Sequence, residues 1–326
     1  MRPSSSSPPI LQTHPNRLAS TSLRHRAPQG ASDRPGMSLV RREFKLQLHR
    51  SRTWVVMGFL VVLVPAVLST VVSLGRIPTY QLIGGSAADL SVRVASSGFA
   101  MPLVILGLER YFVIPLVVSI FAGEALAGEA SWGSLRYLLA EPIPRRRVLE
   151  AKMIVAAVLS VLALAGTAAV SLLAGLAAFG WHGVGVMITH PQLGPSFAGG
   201  ASFRIATLAP GTAMAHLAIA VAVLSITMAS TFAFAVLVST LTPKPAVAIA
   251  SGVGFLMVSR ALANVPGFSS MLHFLPTAYG VHWSDAFVPS IAGTTEIWHL
   301  LLVQAAYGVI LLGFAIHRFK KADIRY

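Results

Sequence analysis

The sequence predicts an all-α integral membrane protein with six transmembrane helices. Hydrophobic residues make up 55% of the chain and charged residues only 11%, against about a quarter charged in ordinary globular chains. The charged residues also cluster, which leaves apolar stretches of about 20 residues, the length that crosses a hydrocarbon core. The net charge of +14 lies mostly beside these stretches, so membrane topology explains it better than nucleic-acid binding does. The chain has no cysteine, which excludes disulfides, thiolate metal sites and thiol catalysis.

Residues 1–36 are predicted to form a disordered basic extension. They are rich in Ser, Pro and Arg, contain Asp33 as their only acidic residue and show no apolar periodicity. Such a segment cannot bury enough apolar surface to offset the entropy of ordering it. It lacks the apolar core of a secretory signal, although an Arg- and Ser-rich, acid-poor composition also fits an organellar transit peptide. A further alternative is that translation starts at Met37.

Residues 37–52 are predicted to form an amphipathic helix in the membrane interface. On a helix, Met37, Val40, Phe44 and Leu48 fall within one narrow arc, and basic residues occupy the arc beside it. A basic amphipathic helix of this kind binds at the surface of a bilayer. The alternative is a merely positive flank ahead of the first span, which leads to the same orientation.

Six apolar spans follow within residues 53–326. Their predicted bounds are 54–74, 108–128, 154–179, 213–241, 246–265 and 297–316. Pro115 lies inside the second span and should kink it. The residues ahead of this span are also apolar, so the helix is either longer, tilted or broken near Pro102.

Two long segments, 179–212 and 266–296, join the later spans. Both contain many Gly and Pro residues and are moderately apolar. Segments of this kind lie at the interface or dip into the membrane where protein shields their backbone. Trp283 and Trp298 suit an aromatic belt at the membrane surface.

The distribution of Lys and Arg places both chain ends in the cytoplasm. Ten of these residues lie in the N-terminal segment through Arg52, five in 129–152, one at Lys244 and four after His317, but only five in the opposite segments. Because positive residues are enriched in cytoplasmic loops, the segment 129–152 and the turn at Lys244 are predicted to be cytoplasmic as well. An even number of spans agrees with this assignment. The predicted location is a plasma or inner cell membrane.

The segment 124–152 is the one polar stretch bounded on both sides by long apolar runs. Large apolar residues recur in it at helical spacing: Trp132, Leu135, Leu138 and Leu139. This pattern predicts a short amphipathic helix, which Pro142 should end. Such a helix either fits a groove on a partner protein or rests on lipid head groups, with Arg145, Arg146 and Arg147 as topology signals.

The chain carries no recognisable catalytic motif. No glycine-rich loop is followed by Lys-Ser or Lys-Thr, so a P-loop for ATP is missing, and HExxH and GxSxG are also absent. The ten histidines lack ligand spacing. A membrane enzyme needs paired acids or His/Asp groups inside its spans, and these spans are nearly free of them. The sequence therefore predicts no catalytic residue, no metal site and no cofactor for this chain.

One pattern in the segment 124–152 resembles the motif of ABC-2-type transporter permeases. It reads Glu124-x4-Glu129-x3-Gly133-x-Leu135-x2-Leu138-Leu139-x2-Pro142-x2-Arg145, with Lys152 opening the next span. The similarity extends to a basic N-terminal interfacial helix, six spans, the motif between spans two and three, and a Leu-Pro-Thr segment before the last span. That segment is Leu275, Pro276 and Thr277. The resemblance covers residues 37–326.

The resemblance implies the membrane subunit of an ATP-driven exporter. Residues 129–141 would be a coupling helix that docks on a separate cytoplasmic ATPase. The implied coupling residues are Glu124, Glu129, Trp132, Gly133, Leu135, Leu138, Leu139, Pro142 and Arg145. Two permease chains, identical or different, and two ATPase subunits would form one transporter, with ATP and Mg bound by the ATPase alone. We expect Glu124 and Glu129 to order the segment by pairing with Arg136 or the arginine triplet.

A stripe of small residues in the third span bears on the second permease chain. Its members lie at four-residue spacing: Ala163, Thr167, Ser171 and Gly175. Such a stripe permits close approach of another helix. It faces either a second permease or the chain's own bundle.

Glu109, Arg110 and Arg260 are the candidate pathway residues. If the second span begins near Leu108, the first two lie at the outer interface. If the helix begins near Ser97, they lie deeper, where ionisable groups are costly and mark transport pathways, and Arg260 could then partner Glu109.

Two other classes of protein compete with this interpretation. A secondary transporter without an ATPase would need ionisable groups at mid-membrane and paired half-repeats. A membrane enzyme or assembly factor would need acidic groups inside its spans. Neither pattern is evident in the sequence.

Overall fold

A computed structural model describes most of the chain. The described residues are 35–75, 80–81, 89–92, 97–133, 144–190, 202–263, 265, 273–277, 280, 283–287 and 294–321. The predicted disordered extension lies outside them, except for its last two residues, which open the first helix.

Eight helices and four short strands organise the described residues. The helices are α1 Pro35–His49, α2 Ser51–Leu74, α3 Ala100–Glu109, α4 Val113–Ser131, α5 Arg145–Phe179, α6 Pro210–Leu241, α7 Pro245–Ala263 and α8 Thr294–Lys321. The strands are β1 Tyr80–Gln81, β2 Asp89–Val92, β3 Val184–His190 and β4 Ser202–Leu208. All helices except α1 and α3 contain a stretch long and apolar enough to cross a membrane. The prediction of six transmembrane helices is thus confirmed.

The N-terminal helix α1 packs on the bundle through its predicted apolar arc. Val40, Phe44 and Leu48 lie against a buried cluster formed by α2, α4 and α5. Leu46 on the other face is 50% exposed. The amphipathic helix is therefore attached to the spans, while its position in a membrane interface stays a prediction.

The second span differs from its predicted form. The apolar run is broken at residues 110–112, between α3 and α4, and not near Pro102, which lies inside α3. Pro115 lies in the first turn of α4, where an amide hydrogen has no helical partner, so it does not kink the helix. The interruption instead falls at Phe112, whose φ of −143° and ψ of −51° are not helical.

The small-residue stripe of α5 faces the chain's own bundle. Ala163, Thr167 and Ser171 are 3% exposed or less. A Cβ added to Gly175 would lie 2.6 Å from Met101 Cβ and closer still to the carbonyl oxygen of Gly98. These contacts join α5 to the start of α3, so the stripe is used within the bundle and does not present a surface to a second permease.

We expect Gly175→Ala to lower thermal stability. The added methyl would push α3 and α5 apart, because its nearest neighbour is backbone that cannot rotate away, and such overpacking costs about 1–3 kcal/mol. Gly308→Ala in α8 is the matched control, since nothing lies within 4 Å of its added Cβ. Thermal unfolding in detergent checks this expectation. Equal melting temperatures for the two variants would contradict the close approach.

An antiparallel sheet, which the sequence did not suggest, lies at the C-terminal end of α5. The strand order is β1-β2-β3-β4, with Val186 opposite both Val92 and Ala206. Val184 and Val186 are fully buried and belong to the main core cluster. We call this the sheet end of the bundle. Trp283 also belongs to that cluster and is 1% exposed, so its predicted place in an aromatic belt is wrong.

Candidate functional site

Four charged side chains meet at the end of the bundle opposite the sheet. Lys152 Nζ lies 2.6 Å from Glu129 Oε1 and 3.0 Å from Glu43 Oε1. Arg50 Nη2 approaches the same Glu129 oxygen at 3.5 Å. We call Glu43, Arg50, Glu129 and Lys152 the ionic cluster and this end of the bundle the ionic end. Two acids and two bases balance, so the cluster has no net formal charge.

Burial makes the ionic cluster energetically important. The Lys152 side chain is 2% exposed and that of Glu43 is 9% exposed. A buried ion pair is costly to form, but removal of one partner leaves an uncompensated charge and is strongly destabilising. The cluster therefore fixes how α1, α4 and α5 are arranged relative to one another.

A second ion pair strengthens the same junction. Arg52, at the start of α2, places Nε 3.1 Å from Glu124 Oε2 on α4. Both motif glutamates are thus held by residues beside the N-terminal helix. The predicted pairing of these glutamates with Arg136 or the arginine triplet stays a prediction, because Arg136 lies outside the described residues. Within the triplet, Arg146 pairs with Glu150 on its own helix.

The local structure explains why Lys152 reaches this position. Helix α5 begins at Arg145, so Lys152 lies about two turns inside it and not at its start. Glu43 is the acidic residue on the face of α1 that packs on the bundle, and Gln47 Nε2 donates to Glu43 Oε1 at 3.3 Å. Glu43 is a site residue that the motif does not include. The sequence does mark it in one way, because Glu43 is the only acid between residues 37 and 52.

Helix α4 ends at the start of the predicted coupling helix. Residues 129–131 continue α4, which corrects the start of the helix expected over 129–141. Gly133 then adopts φ +67°, the left-handed conformation that ends many helices, and its amide donates to the carbonyl of Ala130. Trp132 at this turn is 80% exposed.

The rest of the predicted coupling segment is only partly described. Leu135, Leu138, Leu139 and Pro142 lie outside the described residues. Arg145, Arg146 and Arg147 form the exposed first turn of α5. The structure thus brings Glu124 and Glu129 to one junction and leaves Trp132 and the arginines on its surface.

A polar bridge stabilises the interruption in the middle of α6. Helix α6 is broken at Met228 (φ −89°, ψ −2°). Gln304 of α8 is 1% exposed; its Oε1 accepts from the Ser230 amide at 2.9 Å, and its Nε2 donates to the Pro276 carbonyl at 2.8 Å. The Leu-Pro-Thr segment is therefore attached to the break in α6 through one buried side chain.

The three candidate pathway residues lie beside the interruption between α3 and α4. Arg110 donates from Nη1 to the Gly280 carbonyl at 3.1 Å, and Arg260 donates from Nη2 to the Arg110 carbonyl at 3.0 Å. Both guanidinium groups lie within 5 Å of the Tyr111 ring centre, at 4.8 Å and 4.5 Å, close enough for cation–π attraction. The interruption is thus held by side chains of distant segments.

Glu109 does not form the predicted pair with Arg260. It is 1% exposed, and neither carboxylate oxygen has a hydrogen-bond partner. An isolated buried carboxylate is costly, so Glu109 is an unusual feature of this part of the bundle.

Six membrane-crossing helices, with charged junctions at the helix ends, define a multi-pass membrane protein. A model of a protein family described as ABC-2 family transporter protein matches residues 37–324. The chain belongs to this family and is a membrane transport component of an ABC system. No curated protein matches it significantly.

Proposed function

We propose that the chain is the permease subunit of an ATP-driven exporter and forms its translocation path. Energy would come from a separate cytoplasmic ATPase. The ATPase, and not this chain, would bind ATP and Mg. Two permease chains and two ATPase subunits would make one transporter. The family match supports the transport role, and the geometry of the ionic end supports the coupling.

The proposal rests on the ionic cluster and on the exposed tryptophan that follows it closely in the chain. Lys152 joins Glu43 of α1 to Glu129 of α4, and Trp132 follows three residues after Glu129 with 80% of its surface exposed. A large exposed aromatic ring is a typical anchor at protein interfaces. A force applied near Trp132 would therefore reach α1, α4 and α5 together.

The mechanism follows from this connection. ATP would close the ATPase dimer and carry the docked segment with it. Because buried ion pairs hold α1, α4 and α5 to one another, the three helices would move as a unit at the ionic end. The interruptions at 110–112 and at Met228 would allow the parts nearer the sheet end to respond differently, which changes access across the bilayer.

The proposed orientation places the ionic end, both termini and Lys244 in the cytoplasm of a plasma or inner cell membrane. Arg145, Arg146, Arg147 and the basic residues after His317 all flank spans, as the positive-inside rule requires. The sheet would then lie on the opposite side. Reactivity of cysteines introduced at position 145 and position 182 toward an impermeant maleimide in intact cells tests this orientation. We expect labelling at position 182 alone. Labelling at position 145 alone would show that the chain has the opposite orientation.

Trp132→Asp is expected to detach the ATPase. A charge placed in the middle of an apolar contact loses the contact and must also be desolvated, so binding should fall at least tenfold. The tagged chain is purified from its native membranes and photolabelled with azido-ATP. We expect the wild-type preparation to contain a labelled nucleotide-binding protein and the variant preparation to lack it.

Trp181→Asp is the control at the sheet end, because Trp181 is also exposed, at 59%. It should retain the ATPase. Both variants must be recovered from membranes in wild-type amounts. A labelled ATPase that stays bound to Trp132→Asp overturns the docking site. If even the wild-type chain carries no nucleotide-binding protein, a secondary transporter or a membrane assembly factor becomes the better interpretation.

We further propose that Glu109, Arg110 and Arg260 line the pathway. The burial of the Glu109 carboxyl group, whose oxygens have no hydrogen-bond partner, supports this role, because ionisable groups inside membrane proteins mark pathways. Glu109→Gln and Arg110→Gln should each fail to complement a strain that lacks the chain. Glu150→Gln at the ionic end, where the side chain is partly exposed, should complement normally. Full complementation by both pathway variants would exclude the proposal.

A further inference from the structure

A small apolar cavity lies where α6 is broken. Its volume is about 140 Å³. It is bounded by α4, α5 and both halves of α6, and its lining includes Ala157, Ser160, Val161, Ser225 and Phe232. None of the candidate coupling or pathway residues takes part in it.

The sequence explains why space remains at this point. The two halves of α6 meet at Met228, and the lining faces of α5 and α6 contribute small side chains there, including Ala157, Ser160 and Ala229. A broken helix and small facing residues leave a gap that the neighbouring side chains cannot fill. On the side of α6 away from the cavity, Gln304 accepts a hydrogen bond from the Ser230 amide and so stabilises the break.

The lining determines which ligand chemistry fits. The two hydroxyl groups in the wall already donate to carbonyls of their own helices: Ser160 to Ala156 and Ser225 to Val221, each at 2.8 Å. The remaining lining is aliphatic or aromatic apart from the thioether of Met228. No charged group lies in the wall among the residues that the structure describes, so a head group or an ion would find no partner there. A dry apolar cavity of about 150 Å³ is known to bind benzene or xenon, so this one has room for a segment of hydrocarbon.

The mouth of the cavity indicates where such a ligand comes from. Val161 lines the cavity and is also 49% exposed. It continues a face of α5 on which Val158 and Leu162 are 42% and 50% exposed. Because α5 spans the membrane, this apolar face meets the hydrocarbon of the bilayer.

We propose that this cavity binds the hydrocarbon chain of an amphiphile that enters sideways from the bilayer. The chain would lie between α5 and the break in α6, with its polar head outside the cavity. Occupation would set the angle between the two halves of α6, because both halves contribute to the wall. The proposal depends on the transmembrane position of α5 and not on an ATPase partner.

The test uses the full chain in phosphatidylcholine nanodiscs and a long-chain alcohol that carries a diazirine at mid-chain. After irradiation, labelled peptides are identified by mass spectrometry. We expect labelling of the peptides around Val161 and Phe232 to saturate with probe concentration and to be competed by the unlabelled alcohol. Labelling of the lipid-facing residues of α2 should rise without saturation.

Ala157→Phe should abolish the saturable labelling, because its ring would fill the cavity. Val158→Phe is the matched control: it makes a comparable change on the exposed neighbouring position and should leave the labelling intact. If Ala157→Phe does not insert, Ser225→Leu adds bulk from the opposite wall. Labelling that never saturates, or that survives both filling variants, would overturn the proposal. The proposal would also fail if the wild-type cavity stays unlabelled and two Val161→Cys chains form a disulfide crosslink with each other. That result would show that a second copy of the chain covers the mouth of the cavity.

Discussion

Lys152→Met is expected to detach the N-terminal helix from the bundle and to remove ATP-driven function. Methionine keeps the length and apolar stem of lysine, but two carboxylates, Glu43 and Glu129, then lose the cation that lies within 3.0 Å of both. Removing one partner of a buried pair costs about 3–5 kcal/mol. The cost is largest for Glu43, whose side chain is 9% exposed.

Two measurements on the purified variant check this expectation. Thermal unfolding in detergent should begin at a clearly lower temperature than in the wild type. Limited trypsin digestion should cut faster after Arg41, which lies on the exposed face of α1, because a detached helix unfolds locally and becomes accessible to the protease.

Arg146→Met provides the matched control on the same helix. It removes an ion pair with Glu150 in which the arginine side chain is 59% exposed, and exposed pairs contribute about 0–1 kcal/mol. This variant should unfold and digest like the wild type. If Lys152→Met behaves like Arg146→Met, the ionic cluster does not hold α1 in place, and the proposed transmission through it fails.

The spans could be predicted from the sequence because hydropathy reports the surface that meets lipid. Helices α2 and α7 match their predicted bounds within about three residues, since both begin and end where the apolar runs do. Helix α5 does not, because its first turns carry Arg145 to Glu150. Arg, Leu and Glu are good helix formers, so the helix continues well beyond the apolar stretch.

The contacts that define the candidate site could not be predicted from local spacing. Lys152 and Glu43 are 109 residues apart in the chain, and Arg50 and Glu129 are 79 apart. The interruption at 110–112 likewise depends on a carbonyl at Gly280 that is 170 residues away from Arg110. The apolar residues on either side of Glu109 and Arg110 do not locate the interruption, because an intrahelical pattern contains no information about partners on other helices.

The strands at the sheet end could not be predicted for a related reason. Val184–His190 is rich in β-branched residues, but one of its two pairing partners, Asp89–Val92, lies in a different segment of the chain. The glycine and proline content of the segment 179–212 instead predicted a segment that lies at the interface or dips into the membrane. What stabilises it is burial of Val184 and Val186 against the core, which only the folded chain shows.

Gln304→Leu is expected to loosen the break in α6 by removing both hydrogen bonds of one buried side chain. Leucine has a similar size, but the Ser230 amide and the Pro276 carbonyl would then be left without Gln304 as partner. Each unsatisfied buried group costs about 1–3 kcal/mol, so the melting temperature should fall. Hydrogen exchange offers a more specific measurement, because the Ser230 amide should lose protection while amides in the middle of α5 keep theirs.

Tyr307→Phe is the matched control, one turn further along α8. Its hydroxyl donates to the Phe274 carbonyl at 3.1 Å in an exposed position, where water replaces the lost bond, so stability should change by less than about 0.5 kcal/mol. A protected Ser230 amide in Gln304→Leu would show that the backbone of α6 holds the break by itself. Loss of protection would instead show that α8 and the Leu-Pro-Thr segment determine the shape of α6, and with it the wall of the apolar cavity at Met228. A ligand in that cavity and the bridge at Gln304 would then act on the same break from opposite sides.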